Sequence, residues 1–173
     1  MITIKEVSSS TEKMAIADCI LRNLPEWFGI ESSLREYVEL ASESPFFAAY
    51  HDSNPVGFVA IRVHNPISAE IFVMGIHKEN HRQGIGRKLI EHCINYSIDK
   101  KIEYLSVKTL DESREDESYR QTRMFYQSVG FKPLEVLPTL WGEENPCLLM
   151  IMYLSNKQSV ENPINLELNN IDG

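Results

Sequence analysis

Residues 70–76, Glu-Ile-Phe-Val-Met-Gly-Ile, carry apolar side chains on both faces of an extended chain. A strand of that kind belongs in the middle of a sheet, with both of its faces covered. It is followed at once by Asn80-His81-Arg82-Gln83-Gly84-Ile85-Gly86-Arg87-Lys88-Leu89, a loop with two glycines one residue apart and basic residues on either side. Beyond the loop, Ile85, Leu89, Ile90, Cys93, Ile94 and Ile98 form one apolar stripe at helical spacing, and Arg87, Lys88, Glu91 and Lys100 lie on the other face. A buried strand, a glycine turn and an amphipathic helix therefore follow one another without interruption.

The rest of the chain supplies elements for the sheet. Met1 to Val7 reads as a first strand, and Ser9-Ser10-Thr11-Glu12 has the form of a capping box. Ile16, Ile20, Leu21 and Leu24 continue a helix that Pro25 ends, and Leu34, Tyr37, Val38 and Ala41 mark a second helix. Phe46 to His51 and Val56 to Val63 flank the turn residues Asp52-Ser53-Asn54-Pro55, a hairpin. Ile102 to Leu110 is a strand, Asp111 to Glu117 a charged loop, and Tyr119 to Val129 a helix that Gly130 closes. Phe131 to Leu137 and Leu148 to Leu154 read as closing strands. The order β-α-α-β-β-β-α-β-α-β-β predicts an α/β (α+β) domain over residues 1–154 with a mixed sheet and helices on both faces. Residues 155–173 are polar, contain five Asn and show little periodicity, which reads as a C-terminal tail.

Composition narrows the function classes. The 173 residues carry a net charge of -8, which argues against nucleic acid and slightly favours a cationic substrate. No apolar run approaches a membrane span, and the first residues contain no apolar leader. Three cysteines, Cys19, Cys93 and Cys147, are an odd set without paired spacing, so free thiols in a cytoplasmic protein are expected. The five histidines show no zinc spacing on a common helix face, and no metal is expected.

A glycine turn between a strand and a helix usually faces a phosphate, because successive backbone N–H groups converge there. The P-loop pattern needs a glycine five residues before Gly86 and a Lys-Ser/Thr after it; this chain has His81 and Arg87-Lys88. The dinucleotide fingerprint needs a third glycine at position 89, which is Leu. The loop instead resembles the acetyl-CoA-binding signature of the GNAT acetyltransferase superfamily, [QR]-x-x-G-x-[GA], with Gly84 and Gly86 as its glycines and His81 as an atypical first member. Arg123-Met124-Phe125-Tyr126-Gln127-Ser128-Val129-Gly130-Phe131 resembles the second GNAT element, F-Y-x-x-x-G-F, at the expected distance downstream. Tyr119 and Thr122 stand where the family often has Asn and Ala.

The resemblance implies a mostly antiparallel sheet of six to seven strands, flanked by about four helices and splayed between its two central parallel strands. It implies acetyl-CoA as cosubstrate, held by Met74, Ile76, His77, His81, Arg82, Gln83, Gly84, Ile85, Gly86, Arg87, Lys88 and Tyr126. Gly84 and Gly86 would let the chain approach the pyrophosphate without Cβ clashes, and Gly75 marks where a bulge could splay the strand. The implied reaction is direct transfer to a primary amine of a small molecule or a protein in a ternary complex. Tyr126 would be general acid at the CoA sulfur and Glu70 general base. Strand alternation places Glu70 on the side of Phe72, Met74 and Ile76, where half-burial would raise its pKa. Trp27 and Phe28 would line one wall of the acceptor site and Trp141 another. A CoA-binding module without turnover is the alternative, and a homodimer is compatible with the sequence.

Overall fold

The computed structural model describes residues 1–154. The tail assigned to residues 155–173 lies outside the described residues. The strands are β1 (Ile2–Glu6), β2 (Phe46–His51), β3 (Asn54–Asn65), β4 (Ser68–Ile76), β5 (Tyr104–Leu110), β6 (Lys132–Leu137) and β7 (Cys147–Tyr153). The helices are α1 (Ser10–Arg22), α2 (Pro25–Phe28), α3 (Glu31–Ser42), α4 (Ile85–Asp99) and α5 (Glu117–Ser128). All seven strands form one sheet in the order β1-β2-β3-β4-β5-β7-β6. Every pairing is antiparallel except β4 with β5. No helix of the described residues is long and apolar enough to cross a membrane.

Local chemistry sets the element ends. The Ser9 hydroxyl accepts from the Glu12 N–H and caps α1, and the Asp116 carboxylate does the same for α5 at Tyr119. Pro25 begins a helix and does not end one: α1 stops at Arg22, and Pro25 opens the one-turn α2 from its first position, where its missing N–H costs nothing. α2 is therefore a fifth helix inside what reads, by sequence, as a connection.

The sheet divides two cores. Ile85, Leu89, Ile90 and Cys93 of α4 and Tyr126 of α5 pack with Val59, Ile71, Leu105 and Met150 on one face. Ile16, Ile20 and Leu21 of α1 and Leu34 and Val38 of α3 pack with Phe46, Phe58 and Val73 on the other.

The two parallel strands separate partway along. β4 and β5 pair only over Ser68–Ile71 and Tyr104–Val107. The rest of β4, from Phe72 to Ile76, leaves its β5 side unpaired. The departure coincides with an extra residue in β4, since Ile61 faces Ile71 while Ala60 faces Val73, so Phe72 is bulged. A bulge increases twist and bends its strand, which opens the sheet here. The bulge is thus at Phe72 and not at Gly75. Gly75 serves a different end: a Cβ there would stand 3.0 Å from Ile20, 3.1 Å from Leu24 and 3.3 Å from Leu21, so its absence lets α1 lie close on β4.

The bulge also reverses the expected faces. Ala69 and Ile71 point into the α4/α5 core, and after the extra residue so do Met74 and Ile76. Phe72 and Val73 both pack on the α1/α3 side. Glu70 lies on that side too, so it shares a face with Phe72 but not with Met74 or Ile76. Strict alternation fails because the extra residue shifts the period-two count by one.

Candidate active site

The parting of β4 and β5 opens a cleft of about 560 Å³ through the sheet. Its floor is Met74, Gly75 and Ile76 of β4; the loop from Asn80 and the start of α4 close one end; α2 and α5 form the two sides.

The loop end is made largely of backbone. Arg82 and Gly84 both have left-handed backbone, with φ of 61° and 76°, and Gly84 is the N-cap of α4. No side chain caps this helix. The first intrahelical donor is the Lys88 N–H, bonded to the Gly84 carbonyl at 3.2 Å. The N–H groups of Ile85, Gly86 and Arg87 therefore have no partner within the helix and converge with the positive end of its dipole, an anion-binding arrangement. A Cβ on Gly84 would meet nothing within 4 Å, so the approach is open.

Gly86 lines the cleft and is also a packing position. A Cβ there would lie 2.9 and 3.0 Å from the Phe125 ring and 3.2 Å from the Met74 methyl. Its lack of a side chain lets α4 pack on α5.

The side chains of the loop are tied to the scaffold. His81 donates from Nε2 to the Ile76 carbonyl at 2.7 Å, and its ring lies edge-on to Trp27 with centroids 6.2 Å apart. The donation makes Nε2 the protonated nitrogen of the neutral ring. His81 thus fixes the loop against the last residue of β4, a function its atypical place in the signature does not suggest. Gln83 turns back to the Glu79 carbonyl at 3.1 Å. Arg82 and Arg87 line the cleft, while His77, Gln83 and Lys88 do not. His77 holds its backbone N–H on the Val56 carbonyl, and its Nδ1 is buried without a partner among the described residues.

Tyr126 comes to the cleft from α5, only 8% exposed. It is wedged between Phe125 and Phe131 at 5.3 and 5.6 Å between centroids. Burial raises its hydroxyl pKa well above the ordinary phenol value, with smaller contributions from Cys93 and Tyr119. Burial thus favours the neutral, protonated phenol.

The α2 side of the cleft is made of side chains drawn from distant parts of the chain. Trp27 and Phe28 line the cleft. Trp27 Nε1 donates to Thr122 Oγ1 at 3.1 Å, and the Tyr119 hydroxyl donates to the Trp27 carbonyl at 3.5 Å. The two α5 positions that depart from the family pattern are thus the two that hold α2. Phe28, Tyr37 and Phe72 form a ladder of rings with centroids 5.6 and 5.5 Å apart. Trp141 does not join them; it sits 38% exposed in the β6–β7 connection and does not line the cleft.

Glu70 is buried, 5% exposed, beside the point where the strands part. One carboxylate oxygen accepts from Lys108 Nζ at 2.9 Å and the other pairs with His64 Nε2 at 2.8 Å. Sequence reading picked out Glu70 but missed both partners. They lie six residues upstream and 38 residues downstream, and no local spacing links them.

No thiol near the cleft is activated. Burial pushes the Cys93 thiol far up, and pushes the Cys147 thiol up to about 11. A nucleophilic cysteine needs the opposite environment.

The fold recurs in known proteins. A family model described as "Acetyltransferase (GNAT) domain" matches residues 42–133, more than half the chain. The structure resembles the ribosomal-protein-S18-alanine N-acetyltransferase from Escherichia coli at 20% identity and a TM-score of 0.69, covering 96% of this chain and 99% of that one. It also resembles an aminoglycoside 6′-N-acetyltransferase solved with coenzyme A, at 19% identity and a TM-score of 0.71, over 88% and 97% of the two chains. A GNAT family acetyltransferase from Elizabethkingia anophelis with acetyl-CoA bound gives 16% identity and a TM-score of 0.65, over 88% and 98%. No curated protein sequence matches the chain. With its family model spanning the splayed strand, the glycine turn and the Tyr126 helix, the chain belongs to the GNAT acetyltransferase family.

Proposed function

We propose that this protein is a cytoplasmic N-acetyltransferase that moves an acetyl group from acetyl-CoA directly to a primary amine within a ternary complex. The observation that carries this reading is the open end of α4 beside an unpaired stretch of β4, with a protonated Tyr126 at the same cleft. The α4 N–H groups and Gly84 suit a pyrophosphate, and Arg82 and Arg87 add charge. The unpaired backbone of Phe72 to Ile76 suits an extended pantetheine arm, which could add along the strand edge. The unpaired β5 side of Phe72 to Ile76 leaves backbone N–H groups there as donors toward the thioester oxyanion.

The amine attacks only when neutral, so its ammonium form must first lose a proton. The acceptor-side group suited to that step is the Glu70 cluster. Attack forms the C–N bond, the C–S bond breaks, and Tyr126 protonates the departing sulfur. The raised thiol pKa values of Cys93 and Cys147 support transfer without an acetyl-enzyme. The names of the neighbours mark two acceptor kinds, a protein alanine and an aminoglycoside, and both are amines.

One observation favours the second reading, a CoA-binding module without turnover: both Glu70 oxygens are already engaged. Release of free thiol from acetyl-CoA in the presence of an amine panel separates the two. Amine-dependent release supports the transferase; tight CoA binding with no release from any amine supports the module.

A further inference from the structure

We propose that His64 is the proton acceptor for the incoming amine, with Glu70 and Lys108 as its positioning residues; this rests on the acetyltransferase reading. Two bulges bracket Glu70. One is Phe72; the other is His64 itself, since Val63 faces Ala69 while Asn65 faces Ser68. Bulges re-aim side chains beside active sites, and here the second one turns the imidazole onto the Glu70 carboxylate. In the neutral ring, Nε2–H donates to Glu70, which leaves the Nδ1 lone pair as the acceptor. Nδ1 has no partner among the described residues, and the His64 side chain is 40% exposed, so water can reach it. Glu70 has neither freedom: it is buried, and each of its oxygens already holds a donor.

The neighbouring groups leave His64 as the acceptor. Tyr37 of α3 and Cys147 of β7 face the cluster. Both titrate above their ordinary values, chiefly through burial, with the Glu70 charge adding to the rise. Both therefore hold their protons. Arg62 of β3 lies with its guanidinium 4.4 Å over the Phe72 ring and has no acceptor atom. Lys108 is bound to Glu70 as a donor. In the step itself, the acceptor ammonium passes one proton through water to His64 Nδ1, and Glu70 stabilises the imidazolium. The neutral nitrogen then bonds to the acetyl carbon. As the C–S bond breaks, its electron pair stays on sulfur, which takes the Tyr126 proton, and Tyr126 regains one from the nitrogen. The products are the amide, free CoA thiol and a proton on His64 that returns to solvent.

The test uses the full chain, acetyl-CoA, and kanamycin or an alanine-starting peptide as amine. His64→Gln keeps a donor for Glu70 but cannot take the proton. It should lower kcat by about 100-fold at neutral pH, leave the acetyl-CoA KM unchanged and remove the acidic limb of the pH–rate profile. Added imidazole should restore part of the rate in His64→Gly. Glu70→Gln should move that limb to lower pH, because loss of the adjacent negative charge destabilises the imidazolium. An NMR titration of the His64 ring should show the same downward shift without any turnover. If His64→Gln keeps the wild-type acidic limb, or Glu70→Gln alone abolishes it, Glu70 is the base and the proposal is overturned. Absence of thiol release with every amine of the panel, with acetyl-CoA still bound, would overturn the transferase reading and this proposal with it.

Discussion

The two walls of the cleft are built from different materials. The loop end is backbone: a left-handed Arg82, a left-handed Gly84 and the uncapped first turn of α4, all within seven residues of sequence. The α2 side is side chain: Trp27, held by Thr122, and Phe28 line it, and Tyr37 stands between Phe28 and Phe72 behind them. Backbone donors depend on local conformation and tolerate many side chains. A wall of side chains depends on contacts across the whole fold, and can change without disturbing the first.

The comparison can be broken most directly at Gly84. Gly84→Glu would place a carboxylate at a site suited to phosphate and force a left-handed backbone on a residue that resists it. A loss of acetyl-CoA affinity of about 100-fold or more is expected. Calorimetry with acetyl-CoA measures it, and undiminished affinity would remove the loop from the cofactor site. Gly84→Asn is the control, since Asn adopts the left-handed region and open space surrounds the position.

Gly86 sharpens the contrast between a ligand-facing and a packing glycine. Gly86→Ala drives a methyl to 2.9 Å from Phe125, so a loss of stability of about 1–3 kcal/mol is expected from overpacking. Chemical denaturation reads it directly; a stability equal to wild type would show that α4 and α5 yield easily. Tyr126→Phe should leave folding and acetyl-CoA affinity nearly intact while lowering kcat by ~10-fold. Wild-type turnover would show that the sulfur leaves as thiolate without its help. The smallest effect belongs to Thr122→Val, which keeps the shape and removes the Trp27 bond. About 0.5–1.5 kcal/mol is expected, seen as a raised acceptor KM with the acetyl-CoA KM unchanged. A matching rise in both values would mean that the two walls are coupled.

The same division explains what could be read from the sequence. The strand at 70–76, the two glycines and the α4 stripe are local patterns, and the elements they predict are present. The seven-stranded mixed sheet and its parting at two parallel strands agree with the family resemblance. Pro25 misled because a proline stops one helix and starts another equally well, and the choice depends on packing beyond it. The face of Glu70 misled because alternation holds only while the register is unbroken, and the bulge at Phe72 is set by pairing with β3, 11 to 12 residues away. Thr122 and Tyr119 were visible only as departures from a pattern. Their purpose appears once α2 is placed against α5.

The shift of register at Phe72 has a consequence for how such a protein can diversify. Upstream of it, Glu70 lies on the α1/α3 side of β4; downstream, Met74 and Ile76 turn to the α4/α5 core. One strand thus carries two independently adjustable instructions, separated by a single inserted residue. Substitutions before it leave the faces of the downstream segment unchanged. Deletion of Phe72, by contrast, would exchange the inward and outward sets of the whole downstream half at once.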